Sequence, residues 1–152
     1  MDKNHGDRAA ELFLSGCSCA QSVMAAFDDV TGLDRDTSLR VSSAMGGGIC
    51  RMREVCGAVS GAMMVLGMAE GSGIDTDHDK KAALYARGQE FCEAFKEKMG
   101  SVVCRELLGL AEGRSDSVPE RRTSEYYKKR PCAEIVRCAA SILEGMLEEK
   151  EV

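Results

Sequence analysis

Apolar residues recur along this chain at steps of three and four, and no stretch sustains the two-residue alternation of a half-buried strand. A first amphipathic helix is predicted from about Asp7 to Ser15, with Leu12 and Phe13 on its apolar side and Gly16 at its end. Ser18 then offers a cap, and Cys19, Val23, Ala26, Phe27 and Val30 form a stripe that stops at Gly32. A third helix starts near Asp36 or Thr37, carries Leu39, Val41 and Ala44, and runs into Gly46-Gly47-Gly48. From about Met52 to Ala69 the chain is almost wholly apolar, which predicts a helix buried on most sides. Gly57, Gly61 and Ala62 on it permit close approach of a neighbouring backbone. Its length of about 18 residues approaches the ~20 needed to span a bilayer, but the arginines before it and its glycines favour the centre of a globular domain.

Residues 71–74 read as a loop, after which Asp75, Thr76 and Asp77 offer caps for a fifth helix. Its stripe is Leu84, Gly88, Phe91, Phe95 and Met99, and Gly100 ends it. Ser101 is expected to cap a short helix through Leu108, with Cys104 at the third helical position. Residues 110–130 are polar and charged and read as a long loop. Pro131 suits the first position of a last helix carrying Cys132, Ile135, Val136, Ala139, Leu143 and Met146. The expected fold is all-α: one domain over residues 1–152, a compact bundle of five to seven helices around a buried central helix.

Composition narrows the function. A chain 44% hydrophobic and 30% charged is globular, and a net charge of −5 provides no electrostatic footprint for nucleic acid. Leu14-Ser15-Gly16-Cys17 resembles a lipoprotein cleavage site, but Asp2, Asp7, Arg8 and Glu11 interrupt the apolar run a signal needs. The expected location is therefore cytoplasmic, where structural disulfides are disfavoured and cysteines serve metal binding or redox work.

Eight cysteines sharpen that expectation. Cys19, Cys56, Cys104 and Cys132 each fall near a predicted helix start, where free N–H groups and the helix dipole favour thiolate over thiol. No CxxC pair is present, so a shared site would need contributions from four helices. Cys92 and Cys138 sit among apolar neighbours and read as core fillers. Cys17, two residues from Cys19, and Cys50, just after the glycines, are candidates for the same centre. His5 and His78 read as solvated, and Met63, Met64 and Met68 as core filling. Arg51 and Arg53 read as solvated charges that could also stabilise nearby thiolates. Gly46-Gly47-Gly48 matches no phosphate-binding loop and reads as a turn or a close backbone approach.

Cys19-Ala20-Gln21-Ser22-Val23, Gly46-Gly47-Gly48, Glu54-Val55-Cys56-Gly57-Ala58-Val59-Ser60-Gly61 and Cys104-Arg105-Glu106-Leu107-Leu108-Gly109, followed by Cys132, resemble a bacterial and archaeal family of redox-active proteins. The family takes its name from a C…CGAxxG…C…C pattern, and the resemblance spans about residues 8 to 147. It implies that Cys19, Cys56, Cys104 and Cys132 are the characteristic set. It also implies a relation to a cytochrome-associated domain whose cysteines hold an iron–sulfur centre. Here Pro131 precedes the last cysteine, whereas the family's proline tends to follow it. The first expectation is an electron-transfer protein with an iron–sulfur cluster on these four residues, working with a redox partner protein. A thiol–disulfide protein using Cys17 and Cys19, or Cys50 and Cys56, is the second. A structural zinc bundle with four cysteine ligands is the third.

Overall fold

The computed structural model describes residues 4–74, 77–111 and 113–151, the last of them in its backbone only. The caps expected at Asp75 and Thr76 lie outside the described residues. The helices are α1 (His5–Leu14), α2 (Cys19–Ala26), α3 (Asp28–Thr31), α4 (Arg35–Val41), α5 (Gly57–Glu70), α6 (His78–Met99), α7 (Cys104–Leu107), α8 (Ser124–Lys129) and α9 (Cys132–Glu151). A 3-10 turn at Ser43–Met45 follows α4, and the described residues contain no strand. The all-α bundle is thus what the chain forms. Six helices, α1, α2, α4, α5, α6 and α9, carry it, and α3, α7 and α8 are short segments of four to six residues. None of the described helices is long and apolar enough to cross a membrane.

Apolar stripes at helical spacing decide the packing. α1 lies along α9, α2 packs on α1 and α5, and α5 also meets α9 and α6. Ile135, Val136, Ala139, Leu143 and Met146 of α9 are all buried, as their spacing predicts. They meet Phe13 of α1, Val23 of α2, Val65 of α5, and Phe91 and Phe95 of α6 in one core. Most residues of α5 from Gly57 to Leu66 are buried, but the helix ends in the open, with Met68 51% exposed. Met68 is therefore no core filler, whereas Met63 and Met64 pack against the core.

Helix boundaries depart from the apolar pattern where the backbone turns. α2 stops at Ala26, because Phe27 leaves the helical region at φ −110°, ψ 27°, and the chain restarts as α3. Phe27 and Val30 continue the stripe across that break, so periodicity reads one helix. The apolar stretch from Met52 becomes helical only at Gly57. The polar segment 110–130 contains α8, capped by the Thr123 side chain on the Tyr126 N–H.

His5 is the largest departure. It is fully buried, with Nδ1 2.6 Å from Glu144 Oε1 and Nε2 3.1 Å from both carboxylate oxygens of Asp29. Its ring stacks on Phe27 at 4.1 Å. This histidine joins α1, α3 and α9, where its polar sequence neighbours suggested a solvated side chain. Its partners stand 24 and 139 residues away, beyond the reach of any local pattern.

Candidate functional site

Local structure sets each of the four motif cysteines at or beside a helix start. At α2, Ser18 Oγ accepts from the Gln21 N–H at 3.2 Å, and the Ser18 N–H donates to Gln21 Oε1 at 3.0 Å. Gln21 Nε2 also donates to the Leu39 carbonyl at 3.1 Å, which ties Cys19's helix to α4. The segments before Cys56 and Cys104 are joined to one another. Val55 and Val103 form an antiparallel bridge, the Cys56 N–H donates to Val102 O at 2.8 Å, and the Cys104 N–H donates to Glu54 O at 2.6 Å.

Two expected helix starts are displaced. Ser101 Oγ accepts from the Val103 N–H at 2.9 Å and donates to the Glu106 carboxylate, so Val103 holds the cap position. Cys104 is consequently the first residue of α7, not the third. Pro131 sits just before α9, its carbonyl accepting from the Ile135 N–H at 3.0 Å, and Cys132 opens the helix. Cys56 is the residue that precedes α5.

The glycine segment has an uncommon backbone. Residues 47–51 all have positive φ, between 48° and 70°, and Arg53 follows at 63°. Such a left-handed turn is costly for L-residues, above all for β-branched Ile49. Gly48 has a further constraint: a Cβ there would lie 2.6 Å from Glu54 N and 2.8 Å from Cys104 Cβ. The turn is pressed against the α7 cysteine, which gives Gly46-Gly47-Gly48 the close-approach role its sequence suggested.

Cys19, Cys56, Cys104 and Cys132 line one cavity of about 440 Å³, and Cys50 also reaches its wall. Cys17 does not line it; its carbonyl accepts from Arg122 Nη2 at 3.0 Å. Cys92 faces a separate apolar pocket with Met63, Leu66 and Leu84. Cys138 is half-buried against the core. Among the described residues, no three His, Cys, Asp or Glu side chains are already set as the ligands of a metal ion.

The cavity wall is basic, although the chain is acidic overall. Arg51, Arg53, Arg122 and Arg130 line it beside one carboxylate, Glu120, which pairs with Arg130. Arg53 is 6% exposed, not solvated as its sequence context suggested. Its Nη1 lies 3.6 Å from Cys104 Sγ and its Nε donates to Ser115 Oγ at 2.9 Å. Arg122 lies over the rings of Phe13 and Tyr126, 4.3 and 4.8 Å from their centroids, and donates to Phe13 O at 2.9 Å. That cation anchors the polar segment over the cavity.

These surroundings divide the thiols. Cys132 is lowered from its ordinary range by a hydrogen bond from Cys19 and by Arg130, Arg122 and Arg53, against the opposing effect of burial. Cys19 moves well upward, because that hydrogen bond keeps its proton and burial disfavours its thiolate. Burial pushes Cys56 up to about 12. Helix starts alone predict easy ionisation at all four, but the hydrogen bond to Cys132, with burial behind it, reverses this at Cys19, and burial reverses it at Cys56. Arg122 and Arg130 escaped the sequence reading because only the fold brings them near the cysteines. Arg51 and Arg53, five and three residues before Cys56, are the two basic neighbours that the sequence itself points to.

A family described as "Putative redox-active protein (C_GCAxxG_C_C)" matches residues 17–146, and the chain belongs to that family. No curated protein and no solved structure matches it.

Proposed function

We propose that the protein carries electrons on an iron–sulfur centre held by Cys19, Cys56, Cys104 and Cys132. The observation that carries this reading is the common cavity of the four motif cysteines, walled by arginines. Thiolate is the donor iron–sulfur clusters take, and the cavity has room for a group of several atoms. When bound, such a group supplies one-electron chemistry. The chain's own part is to bring four sulfurs together, exclude water with Phe13, Leu107 and Ile135, and set cationic side chains against negative charge. A redox partner protein supplies and removes the electron.

The test is anaerobic purification followed by iron, acid-labile sulfide, zinc and visible-absorption measurements. Stoichiometric iron and sulfide with a brown chromophore are expected. Zinc without colour favours the structural-zinc alternative.

One observation favours thiol–disulfide exchange as a second reading: Cys132 is the readily ionised member of a hydrogen-bonded pair with Cys19. The Cys132 thiolate would attack a partner disulfide and expel one partner sulfur as thiolate. Cys19, losing its proton, would then attack Cys132 and release the second. The partner ends as a dithiol and this chain as a Cys19–Cys132 disulfide. A colourless, metal-free protein that forms a stable mixed disulfide as Cys19→Ser would establish this reading instead.

A further inference from the structure

We infer that Arg53 is the buried counter-charge of the group held by the four cysteines, and that it raises the reduction potential of that group. This rests on the proposed ligand set. Arg53 is nine-tenths buried, and among the described residues no carboxylate pairs with it. Its polar contacts are the Ser115 hydroxyl and the Cys104 sulfur. The other cavity arginines stand differently: Arg130 pairs with Glu120, Arg122 binds two carbonyls and lies over three aromatic rings, and Arg51, only half-buried, donates to the Val118 carbonyl.

The backbone holds Arg53 in this place at some expense. Its φ is +63°, its N–H donates to Gly47 O at 3.0 Å, and its carbonyl accepts from the Arg105 N–H at 3.3 Å. Ser115, which takes the guanidinium, is itself bonded through its N–H to Arg51 O at 3.0 Å. A left-handed residue, a loop wrapped back on itself and a distant serine therefore converge on one side chain. A merely solvated arginine needs none of these.

An ion in the interior without an opposite charge destabilises the fold, and a partner anion reverses the sign. With no group bound in the cavity, Arg53 is a liability. With thiolates bound to a metal group it becomes an ion pair. Reduction adds one electron, hence one negative charge, to the bound group. A fixed cation beside Cys104 favours that reduced state and so raises the potential.

The experiment compares wild type, Arg53→Met and Arg53→Lys, each metal-free and after anaerobic reconstitution with ferrous iron and sulfide. Metal-free Arg53→Met is expected to unfold at the same or a higher urea concentration than wild type. Reconstituted Arg53→Met is expected to show a reduced-to-oxidised ratio about tenfold lower at a fixed applied potential, or ~59 mV for a one-electron couple. Arg53→Lys, which keeps the charge, should retain the wild-type potential. A merely structural Arg53 would instead make the Met variant less stable in both forms and leave the potential of its loaded fraction unchanged, which overturns the inference. Should Arg53→Met fail to load, Arg53→Lys must load at the wild-type potential, and failure of both overturns the charge argument. A wild-type protein that takes up no cluster sinks the underlying ligand assignment and this inference with it. A loaded wild type with an unmoved Met variant sinks this inference alone.

Discussion

A Cβ on Gly61 would lie 2.7 Å from the carbonyl oxygen of Ala20. α2 and α5 therefore cross with backbone against backbone, one residue from Cys19 and one turn from Cys56. Gly57 repeats the approach, its notional Cβ 3.0 Å from Ala20 N and 3.3 Å from Cys19 Cβ. Gly61→Leu is expected to overpack this crossing and cost about 1–3 kcal/mol or more. The urea midpoint should fall and the reconstituted iron content with it. An unchanged midpoint would show that the helices separate without penalty.

The cavity cysteines and the fillers should part company on substitution. Cys56→Ser and Cys104→Ser should lose most bound iron after anaerobic reconstitution. Cys92→Ala and Cys138→Ala should keep it, with a modest fall in stability, because those side chains face the α5–α6 pocket and the partly buried flank of α9. Iron and sulfide analysis of the four variants checks this, and equal behaviour in both classes removes the ligand assignment.

Alkaline pH should destabilise the metal-free protein. Folded Cys56 holds its proton to about 12, against an ordinary value of 9.0, and Cys19 shifts in the same direction. Between these limits the unfolded chain releases protons that the folded chain retains, so unfolding becomes easier as pH rises. The contribution is complete below pH 9.0 and disappears as pH approaches 12. Cys132, lowered, works in the opposite sense, its contribution growing as pH rises through its range. Chemical denaturation of the metal-free protein across this window should show a net loss, and Cys56→Ala should flatten it.

His5→Ala should destabilise the fold without touching the site. It removes the ring that links Glu144 to Asp29 and leaves an apolar hole under Phe27, while Asp29 keeps Arg8 and Glu144 keeps the residue-5 N–H, so a loss of about 1–3 kcal/mol is expected. His5 lines no part of the cysteine cavity, so iron content per folded molecule should match wild type. Circular-dichroism melts beside metal analysis would separate the two effects.

What was legible in the sequence followed from periodicity. Ile135, Val136, Ala139, Leu143 and Met146 announce the buried face of α9, and Phe91 and Phe95 that of α6. Ser18 with Gln21 three residues on announces the start of α2. The four cysteines stand out because each lies near a helix start, and those starts face the same cavity. What stayed hidden depends on contacts distant in sequence. His5 has no local sign of its carboxylate partners, and Arg122 none of the Phe13 ring it covers. The left-handed course of residues 47–51 was half visible: two glycines permit it, but nothing about Ile49 or Arg51 announces it. Burial at Cys56 reverses the effect of its helix start, and burial is a property of the finished fold.

The four cavity cysteines belong to segments strung along almost the whole chain, from the start of α2 to the start of α9. Topologically the cavity is a knot-point at which three long excursions of the polypeptide return to one place. Bringing such ends together costs chain entropy that rises only slowly with excursion length, roughly as (3/2)RT ln n for each. The cavity is therefore complete only when every excursion has closed. Anything gripped at that point by all four sulfurs would act as a removable rivet. Removing it would relax helices as remote as α6, which contributes no residue to the cavity wall.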